Sequence, residues 1–577
     1  MIRLNSIVLV LTMLISFALY RLLNNKESDH EVVQQKLFHD PSYLIKFGSS
    51  DVRYDMNKPP VIDTSTTWQA RGWKGEKISH QILIWSHEPM ERIQIKPFPF
   101  KTENHHIISA DQIQSYKTDY VWTDTLSPKG DNCEMPKGLD SSRVEDIIGE
   151  KLSTVSITSN TCKTIWLSIL IPTNAYPGDY EGTISCTHNG KLLARLTIHL
   201  KVTDRTLPPS GSFGFHLDLW QNPYAIARVH KVKPWSENHF TVMKPYFKML
   251  AEAGQKVITA SIIYDPWNSQ TLDIYQSMIR WNKTKEGTWQ FDYTIFDRWV
   301  DFMISLGIDQ QINCYSMIPW NNRFYYHDML LNRDTFLVTR PGDSAYAHHW
   351  SVMIKDFTRH LKSKNWFQKT MIAMDERTLQ DMQAAIRVIK SVDPAWKISL
   401  AGGYHPEIES ELNDYCIASN LNFPEDVLNK RKSKHQYSTF YTACPENKPN
   451  IFTFSPPSET AFMGWYAAAK QLDGYLRWAY NSWPSDPLKD SRFGSWPGGD
   501  TYFVYPGPYS SIRFEKINEG IAAYEKIRIL RDVFNTSHDS TGLIKLQSIL
   551  QNISIRNLEH RSAKEMIEDA NRKLNEL

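Results

Sequence analysis

The stretch Lys369-Thr370-Met371-Ile372-Ala373-Met374-Asp375-Glu376 decides the fold, because it is a short apolar run that ends in two adjacent carboxylates. Four to eight apolar residues bounded by polar ones are typical of a strand covered on both faces, as in a parallel sheet. Apolar residues then recur at helical spacing over residues 379–389. The sequence therefore predicts that a buried strand passes into a helix here, at the kind of position where α/β barrels carry their active sites.

Strand and helix patterns alternate on both sides of this stretch. Strands are predicted at residues 213–219, 256–263, 311–317, 370–374, 397–400, 415–418, 450–454 and 475–480. Helices are predicted at residues 235–253, 296–306, 379–392, 407–412, 461–472 and 512–533. Eight strands in this alternation predict a (β/α)₈ TIM-like barrel over residues 209–540, followed by C-terminal helices over residues 541–577.

The chain before the barrel has a different pattern. Residues 61–208 contain short strand-like pieces with alternating apolar residues and turn signals, which predict a β-sandwich. Residues 27–60 are polar and poorly periodic and are interpreted as a linker. The predicted fold class is thus a multidomain α and β protein, with an N-terminal β-sandwich followed by a (β/α)₈ barrel.

The first 26 residues have the pattern of an export signal. Arg3 precedes an uncharged apolar run at residues 7–20, and Arg21 and Lys26 follow it. The run is short for a spanning helix, although Leu22 and Leu23 extend it, so an uncleaved membrane anchor is the alternative. The protein is therefore predicted to be exported, to a periplasm, a cell surface or the medium.

Composition excludes some partners. A formal net charge of +2 over 577 residues gives no basic surface for nucleic acid. Six cysteines in so long a chain do not make a disulfide scaffold. Cys162 and Cys186 flank neighbouring strand-like segments and are the candidate pair, although sequence alone does not fix connectivity.

Two neighbouring acids suit a reaction in which one group donates a proton and another stabilises a developing positive charge, as in glycoside hydrolysis. Both side chains can face one substrate only if the chain leaves the strand at this point, since consecutive strand residues face opposite sides. A structural role is the competing interpretation. Asp375 could cap the following helix, and Glu376 could lie in its first turn.

Polar and aromatic residues recur at nearly all the other predicted strand ends. A single aromatic there usually packs in the core, but recurrence at the catalytic face of a barrel predicts a sugar-sized pocket. The predicted catalytic residues are Asp375 and Glu376. The predicted substrate-binding residues are His216, Asp218, Trp267, Tyr315, Trp320, Tyr404, His405, Asn481 and Trp483.

Several longer runs give the chain a resemblance to glycoside hydrolase family 123, the exo-acting β-N-acetylgalactosaminidases. The runs are His216-Leu217-Asp218-Leu219-Trp220-Gln221-Asn222-Pro223-Tyr224, Trp235-Ser236, Leu250-Ala251-Glu252-Ala253-Gly254-Gln255-Lys256, Met374-Asp375-Glu376, Gly474-Tyr475-Leu476-Arg477-Trp478-Ala479-Tyr480-Asn481-Ser482-Trp483-Pro484, residues 493–505 and Ser511-Ile512-Arg513-Phe514-Glu515. The resemblance extends over both the sandwich and the barrel and implies that architecture.

The resemblance also implies a division of work between the two acids. Glu376 would be the general acid and then the general base. Asp375 would orient the substrate's 2-acetamido group and stabilise an oxazolinium intermediate. The implied partner is a glycan with a terminal β-linked N-acetylgalactosamine (GalNAc), hydrolysed with retention of configuration, and no cofactor or metal is expected.

Two other functions are compatible with these residues. One is a conventional two-carboxylate glycosidase acting on 2-hydroxy sugars, with Asp218 or Asp265 as the second acid. The other is a carbohydrate-binding protein without catalytic activity. Fold does not separate these functions, because function belongs to the site. A conventional enzyme should cleave sugars that carry a 2-hydroxyl, whereas a substrate-assisted one should require a 2-acetamido group.

Overall fold

A computed structural model describes residues 42–124, Cys133 and residues 141–577. The predicted signal or anchor at residues 1–26 and the first part of the predicted linker lie outside these residues. The described chain forms a β-sandwich and then an eight-stranded barrel with surrounding helices, so the predicted fold class is confirmed.

The sandwich consists of two facing sheets. Its described strands are β1 (Tyr43–Gly48), β2 (Thr64–Ser65), β3 (Thr67–Lys74), β4 (Lys77–Ser86), β5 (Met90–Pro97), β6 (Phe100–Lys101), β7 (Ile107–Ile108), β8 (Ile113–Thr123), β9 (Ser142–Lys151), β10 (Thr154–Ile157), β11 (Thr161–Leu170), β12 (Gly178–His188) and β13 (Lys191–Thr206). One sheet has the order β2-β1-β4-β11-β8-β9, and the other has the order β10-β5-β12-β13-β3, with β6 paired to β12 and β7. Inward-facing residues such as Ile184 and Leu196, which pair across β12 and β13, form the core between the sheets.

Two sequence interpretations are wrong in this domain. Tyr43–Gly48, assigned to a linker, forms strand β1 and pairs with β4, because its alternating apolar residues complete the sandwich core. Cys162 and Cys186 are both buried free thiols on strands of different sheets. The disulfide present among the described residues joins Cys133 to Cys444, 311 positions apart in the chain.

The second domain contains strands β14 (His216–Leu219), β15 (Val257–Ser261), β16 (Arg280–Lys283), β17 (Trp289–Asp292), β18 (Gln311–Tyr315), β19 (Arg323–Asp328), β20 (Arg333–Val338), β21 (Thr370–Met374), β22 (Lys397–Gly402), β23 (Asp414–Ala418), β24 (Tyr437–Tyr441), β25 (Gly474–Arg477) and β26 (Ser510–Ser511). Eight of them form a parallel sheet in the order β14-β25-β24-β23-β22-β21-β18-β15. Four others, β16, β17, β19 and β20, form a small separate sheet inserted on both sides of β18, and β26 joins a sheet of the sandwich.

Side-chain amides help to close the barrel between β14 and β15, where backbone pairing is sparse. The backbone contributes the Lys256 N–H, which donates to the Leu217 carbonyl at 3.0 Å. Gln255 accepts from the Leu219 N–H at 3.0 Å and donates to the Val257 carbonyl at 2.8 Å. Gln221 accepts from the Thr259 N–H at 2.8 Å. Buried backbone N–H and C=O groups need hydrogen-bond partners, and at this seam the side-chain amides of Gln221 and Gln255 provide them.

One predicted barrel strand is misplaced. Residues 450–454 form an irregular segment, and the seventh strand in chain order is Tyr437–Tyr441, which pairs with β23 and β25. The apolar residues Ile451 and Phe452 are buried in that irregular segment, which explains why they resembled a strand. The predicted helix at residues 407–412 is only a short 3₁₀ turn at Glu409–Glu411.

The helices cover the barrel. They are α1 (Pro223–His230), α2 (Glu237–Glu252), α3 (Thr294–Ser305), α4 (Ser344–Ser363), α5 (Leu379–Val392), α6 (Glu425–Ser433), α7 (Pro457–Ala469), α8 (Ile512–Thr536), α9 (Ser540–Leu550) and α10 (Ala563–Leu574). The last two pack on the barrel core through buried residues such as Leu546 and Ile567. Of the helices in the described ranges, none combines the length and apolar character needed to cross a bilayer.

A buried ion-pair network joins the two domains. Asp146 on strand β9 of the sandwich pairs with Arg513 at the start of α8, with 2.9 Å between Oδ2 and Nε. Arg53 pairs with the other oxygen of Asp146 at 3.2 Å. Next to this network, β26 adds to the edge of β9, with Ser510 opposite Ile148. The sandwich and the barrel therefore share both a sheet and a buried charge cluster.

Candidate active site

A cavity of about 380 Å³ opens at the carboxyl ends of the barrel strands. Its volume lies within the range of small-molecule binding sites. The described residues that line it are Cys133, Trp220, Trp267, Gln270, Trp320, Asp375, Glu376, Ala401, Tyr441, Ala443, Cys444, Pro445, Leu476, Trp478, Trp496 and Asp500. A larger groove of about 780 Å³ lies between the sandwich and the barrel, but it contains neither acid of the pair.

The adjacent acids lie where the chain leaves the barrel. Strand β21 ends at Met374, and α5 begins at Leu379. Thr378 caps this helix by accepting from the Asp381 N–H at 3.2 Å. Thr378, and not Asp375, therefore caps this helix. Because residues 375–378 belong to no regular element, both carboxylates can reach the cavity.

Asp375 is held by two neighbours. The Trp320 indole Nε1 donates to its Oδ2 at 2.9 Å. Arg377 Nη2 lies 2.9 Å from its Oδ1 as an ion pair, at an angle unsuited to a hydrogen bond. Among the described residues, Oδ1 therefore accepts no hydrogen bond and keeps a lone pair available.

Arg377 connects the parts of this corner. Its guanidinium lies over the Trp320 ring, 4.2 Å from the ring centroid. Its Nε donates to the Ile318 carbonyl at 2.8 Å, and its Nη1 donates to the Glu376 carbonyl at 2.9 Å. One side chain thus positions Trp320, Asp375 and the backbone of Glu376.

Burial controls the ionisation of Asp375. Only 8% of the residue is exposed, and this desolvation raises its pKa above the ordinary aspartate value, with Glu376 adding to the rise. The positive charge of Arg377 and the Trp320 hydrogen bond act in the opposite direction but do not cancel the effect. The carboxylate therefore binds its proton more readily than a surface aspartate does.

Glu376 has a different partner. The Tyr441 hydroxyl, at the end of β24, donates to its Oε1. Glu376 is otherwise exposed to the cavity. Asp375 is buried beside Trp320, and Trp320 belongs to the loop after β18. The two acids are therefore drawn toward opposite sides of the barrel mouth.

Tryptophans form much of the cavity wall. Trp220 and Trp267 pack with their ring centroids 5.0 Å apart, above the buried Tyr315. On another side Trp478 and Trp496 meet edge to face, 5.5 Å apart. Flat rings of this kind provide apolar area on which the C–H faces of a sugar can stack.

A third acid lines the cavity but is already paired. Asp500 forms a buried ion pair with Arg477, and its other oxygen accepts from Trp478 Nε1 at 3.3 Å. Arg477 also donates to Asn450 Oδ1 at 3.1 Å. These contacts make Asp500 a fixed part of the wall.

The structure brings together four of the predicted site residues. Asp375, Glu376, Trp267 and Trp320 all line the cavity. Tyr315 lies directly beneath it, fully buried against Trp220, so it supports the floor instead of contacting a ligand.

His216 and Asp218 were predicted to bind substrate, but both are buried inside the barrel below the cavity floor. His216 Nε2 lies 3.4 Å from the Asp414 carboxylate. Burial raises the pKa of Asp218 to about 7, and the Asp414 charge adds to the rise. Both side chains point inward because alternate residues of a short barrel strand fill the barrel interior.

Tyr404 and His405 also lie away from the cavity lining. Tyr404 stacks on Tyr415 at 6.0 Å and meets Phe423 edge to face. The His405 backbone N–H donates to the Tyr415 hydroxyl at 2.6 Å. The loop after β22 thus directs both side chains away from the described cavity lining.

Asn481 and Trp483 are structural. Asn481 makes two amide hydrogen bonds to the backbone of Asn222, at 2.9 and 2.7 Å. Trp483 is fully buried, donates to the Val504 carbonyl at 2.6 Å and packs on Tyr246. The prediction that Trp483 lines the sugar pocket is wrong.

Asp265, a candidate second acid, is absent from the described lining of the cavity. Its carboxylate accepts from the Ser269 N–H at 2.7 Å and from the Ser269 hydroxyl at 3.0 Å, so it stabilises a turn.

Several residues that line or support the cavity were not predicted from the sequence. Tyr441 was missed because its strand was not recognised, and Arg377 because no sequence signal distinguishes it from a surface arginine. Trp220, Trp478 and Trp496 were available signals, since they lie in the quoted runs or directly after a predicted strand. In the described ranges, no group of three or more His, Cys, Asp or Glu side chains is arranged to hold a metal ion.

Two family models match the chain. The one described as "Glycoside hydrolase 123, catalytic domain" matches residues 220–530, and "Glycoside hydrolase 123 N-terminal domain" matches residues 47–188. The chain is also similar to a solved family 123 glycoside hydrolase from Clostridium perfringens, which was studied for glycolipid glycan hydrolysis. That likeness has a TM-score of 0.82 and 27% identity, and it covers 92% of this chain and 97% of the other.

A Bacteroides ovatus GH5 xyloglucanase in complex with a XXXG heptasaccharide covers 79% of this chain and 98% of its own, at 9% identity. Its TM-score of 0.29 is too low to support any argument. No curated protein gives a significant match to this chain.

Proposed function

Because the chain belongs to glycoside hydrolase family 123 and is thus a glycosidase, we propose that it is a retaining exo-β-N-acetylgalactosaminidase. It removes terminal β-linked GalNAc from glycans, and the substrate's own acetamido group serves as the nucleophile. Asp375 and Glu376 carry the reaction.

The unequal surroundings of the two acids are the observation that carries this proposal. Asp375 is buried, beside Arg377 and Trp320, with one carboxylate oxygen lacking a hydrogen-bond donor among the described residues. Glu376 is open to the cavity and contacts Tyr441. A buried, fixed carboxylate such as Asp375 suits a group that accepts a hydrogen bond from the substrate's amide N–H. An open carboxylate such as Glu376 suits a group that exchanges protons with water and with the aglycone.

In the first step, protonated Glu376 gives its proton to the glycosidic oxygen as the bond from that oxygen to the anomeric carbon breaks. The acetamido carbonyl oxygen attacks the anomeric carbon from the opposite face and forms an oxazolinium ring. Asp375 accepts the acetamido N–H and stabilises the positive charge that develops on this ring.

In the second step, Glu376 is a carboxylate and takes a proton from water. The water oxygen attacks the anomeric carbon, the oxazolinium ring opens, and the sugar is released with its original configuration. The Tyr441 hydroxyl supports this step, because its hydrogen bond to Glu376 Oε1 holds the carboxylate in place at the cavity.

The alternative enzyme needs a second acid beside the anomeric carbon. Asp218 lies buried in the barrel interior, and Asp265 stabilises a turn. Asp500 lines the cavity, but Arg477 and Trp478 already occupy its oxygens. Apart from Asp375 and Glu376, no carboxylate among the described lining residues is therefore free to act as that second acid, and this supports substrate assistance. The distinct partners of both acids also favour an active enzyme over a carbohydrate-binding protein.

The test is a panel of aryl β-glycosides of GalNAc, N-acetylglucosamine and galactose, which share one leaving group. We expect hydrolysis of the GalNAc glycoside and none of the galactoside, and we expect a GalNAc-derived thiazoline to inhibit. Glycans from glycolipids are the first natural substrates to test, since the Clostridium perfringens relative was studied for glycolipid glycan hydrolysis. If the 2-hydroxy galactoside is cleaved as fast as the GalNAc glycoside, the conventional mechanism replaces this one.

A further inference from the structure

A disulfide joins the two domains at the wall of the active-site cavity. Cys133 lies between strands β8 and β9 of the sandwich, and Cys444 lies in the loop after barrel strand β24. Both residues line the cavity that holds Asp375 and Glu376. Of the described lining residues, Cys133 alone comes from the sandwich. The N-terminal domain is therefore covalently attached to the rim of a site that the barrel otherwise builds.

The disulfide lies on the Glu376 side of the cavity. Cys444 follows Tyr441 by three residues, and the Tyr441 hydroxyl donates to Glu376. Asp375 is held on a different side, by Trp320 from the loop after β18. A general acid must lie within hydrogen-bond reach of the leaving-group oxygen, so the residues beside it face the aglycone.

The loop that carries Cys444 is also anchored to the barrel without the disulfide. Asn450 Nδ2 donates to the Ala443 carbonyl at 2.8 Å and to the Glu446 carbonyl at 2.6 Å. The Thr442 and Tyr475 hydroxyls lie 2.7 Å apart at its base. Opening the disulfide should therefore leave Tyr441 in place, while the rim at Cys444 loses its link to the sandwich.

The chemistry of this rim suits a sugar. Ala443, Cys444 and Pro445 present small apolar groups, with the sulfur of Cys133 beside them. Apolar surface of this kind can pack against the C–H face of a sugar ring. A small aryl leaving group reaches less of this surface than a saccharide does.

We propose that the Cys133–Cys444 disulfide determines specificity, by fixing the aglycone-side wall against which the saccharide next to the terminal residue binds. This inference rests on the proposed function, because it requires Glu376 to be the general acid. The disulfide is a positioning element that strengthens the binding of extended glycans and takes no part in bond breaking.

The test compares the unmodified enzyme with a Cys133→Ser/Cys444→Ser double variant on two substrates. One is an aryl β-GalNAc glycoside, and the other is an oligosaccharide of at least three residues with a terminal β-GalNAc. We expect KM for the oligosaccharide to rise roughly tenfold at unchanged kcat, which corresponds to about 1.4 kcal/mol of lost binding. The aryl glycoside, which has no saccharide next to the terminal residue, should show a clearly smaller rise in KM than the oligosaccharide. A Cys162→Ser variant, which removes a buried sandwich thiol outside the described lining of the cavity, is the matched control.

Mild reduction of the folded, unmodified enzyme gives a second route if the double variant does not fold. Reduction should reproduce the rise in KM for the oligosaccharide and should change nothing further in a folded double variant. Unchanged inhibition by the GalNAc-derived thiazoline would show that the terminal-sugar subsite is intact. Equal losses on both substrates, or no loss on either, would overturn the inference. If the unmodified enzyme cleaves neither substrate, the proposed β-N-acetylgalactosaminidase activity is wrong, and the inference about the disulfide is wrong with it.

Discussion

Asp375 and Glu376 are joined by one peptide bond, yet their surroundings differ in every respect that affects a carboxylate. Arg377 and Trp320 confine Asp375 in a buried corner, while Tyr441 holds Glu376 at the open side. Two acids with different environments can take different roles in one reaction. The proposed division of work follows from these contacts and can be tested one residue at a time.

Replacing Glu376 by Gln should remove the proton donor and preserve the shape of the site. We expect kcat/KM on oligosaccharides to fall by about 10² to 10⁴, the usual contribution of general acid catalysis. An aryl glycoside with a good leaving group should lose much less, because its oxygen needs little protonation. Comparing the two substrates in steady-state assays checks this, and equal losses on both would count against the acid role.

Replacing Asp375 by Asn should lower kcat by about 10² to 10³ while substrate still binds, because an amide can contact the acetamido group but carries no charge. The pH profile gives a second readout. The proposed reaction needs ionised Asp375, and burial raises its pKa, so activity should fall as pH decreases through a value above the ordinary aspartate range. This acid limb should disappear in the Asn variant. An unchanged acid limb in that variant would assign the titration to another group.

The barrel strands show what could be read from the sequence. Strands such as Thr370–Met374 are buried on both faces, so they appear as short apolar runs. Tyr437–Tyr441 has the sequence Tyr-Ser-Thr-Phe-Tyr, whose polar residues concealed a central strand. Residues 450–454 look apolar because an irregular segment is buried there, and its Ile451 carbonyl accepts from Arg513 at 3.1 Å. A short apolar run therefore indicates that a segment is buried, but it does not show whether the segment is a strand or an irregular part of the chain.

The site was only partly predictable for a related reason. The pair at the end of β21 was found because it lies between a buried strand and a helix, and because polar and aromatic residues recur at the other predicted strand ends. Trp267 and Trp483 both follow strand-like runs, yet one lines the cavity and the other fills the core. Which way a loop turns depends on distant partners, such as the Val504 carbonyl that binds the Trp483 indole. No periodicity in the sequence carries that information.

Replacing a core tryptophan, Trp483, and a cavity tryptophan, Trp320, by alanine should have opposite effects on stability and catalysis. Trp483→Ala should cost about 3 to 5 kcal/mol of unfolding free energy, because it leaves a cavity and an unpaired carbonyl in the core. Trp320 is 45% exposed at the rim, so Trp320→Ala should barely change the melting temperature but should weaken catalysis, since Asp375 loses a hydrogen bond. Urea unfolding and steady-state kinetics on both variants separate the roles. A stable, weakly binding Trp483→Ala variant would return that residue to the site.

The two domains meet at a charge network that also supports the cavity wall. Arg513 pairs with Asp146 of the sandwich and donates to the Gly499 and Tyr502 carbonyls, on either side of Asp500. Asp146→Ala should cost about 3 to 5 kcal/mol, because the buried Arg513 and the partly buried Arg53 would lose their shared partner. Asp486→Ala, which removes an exposed partner of Lys489, should cost less than about 1 kcal/mol. If both variants unfold at the same urea concentration, the network does not join the domains as described.

Two separate features support export of the protein. Residues 1–26 have a positively charged start and a short apolar run, as secretion signals do. The Cys133–Cys444 disulfide, between two segments 311 positions apart, needs an oxidising compartment, since the cytosol keeps thiols reduced. We therefore expect the full chain to be recovered outside the cytoplasm with both cysteines oxidised, and a chain beginning at residue 27 to remain inside with both reduced.

Cell fractionation, mass spectrometry of the N-terminus and thiol alkylation measure these outcomes together. A chain beginning at residue 27 behind an unrelated secretion signal is the control, and it should regain the disulfide. Recovery of an intact N-terminus in the membrane fraction, with the disulfide formed, would identify residues 1–26 as an uncleaved anchor of an exported enzyme. Recovery from the cytoplasm with Met1 intact and free thiols at Cys133 and Cys444 would contradict export. It would also mean that the aglycone-side wall is open where the protein works, because the link that fixes it would be absent there.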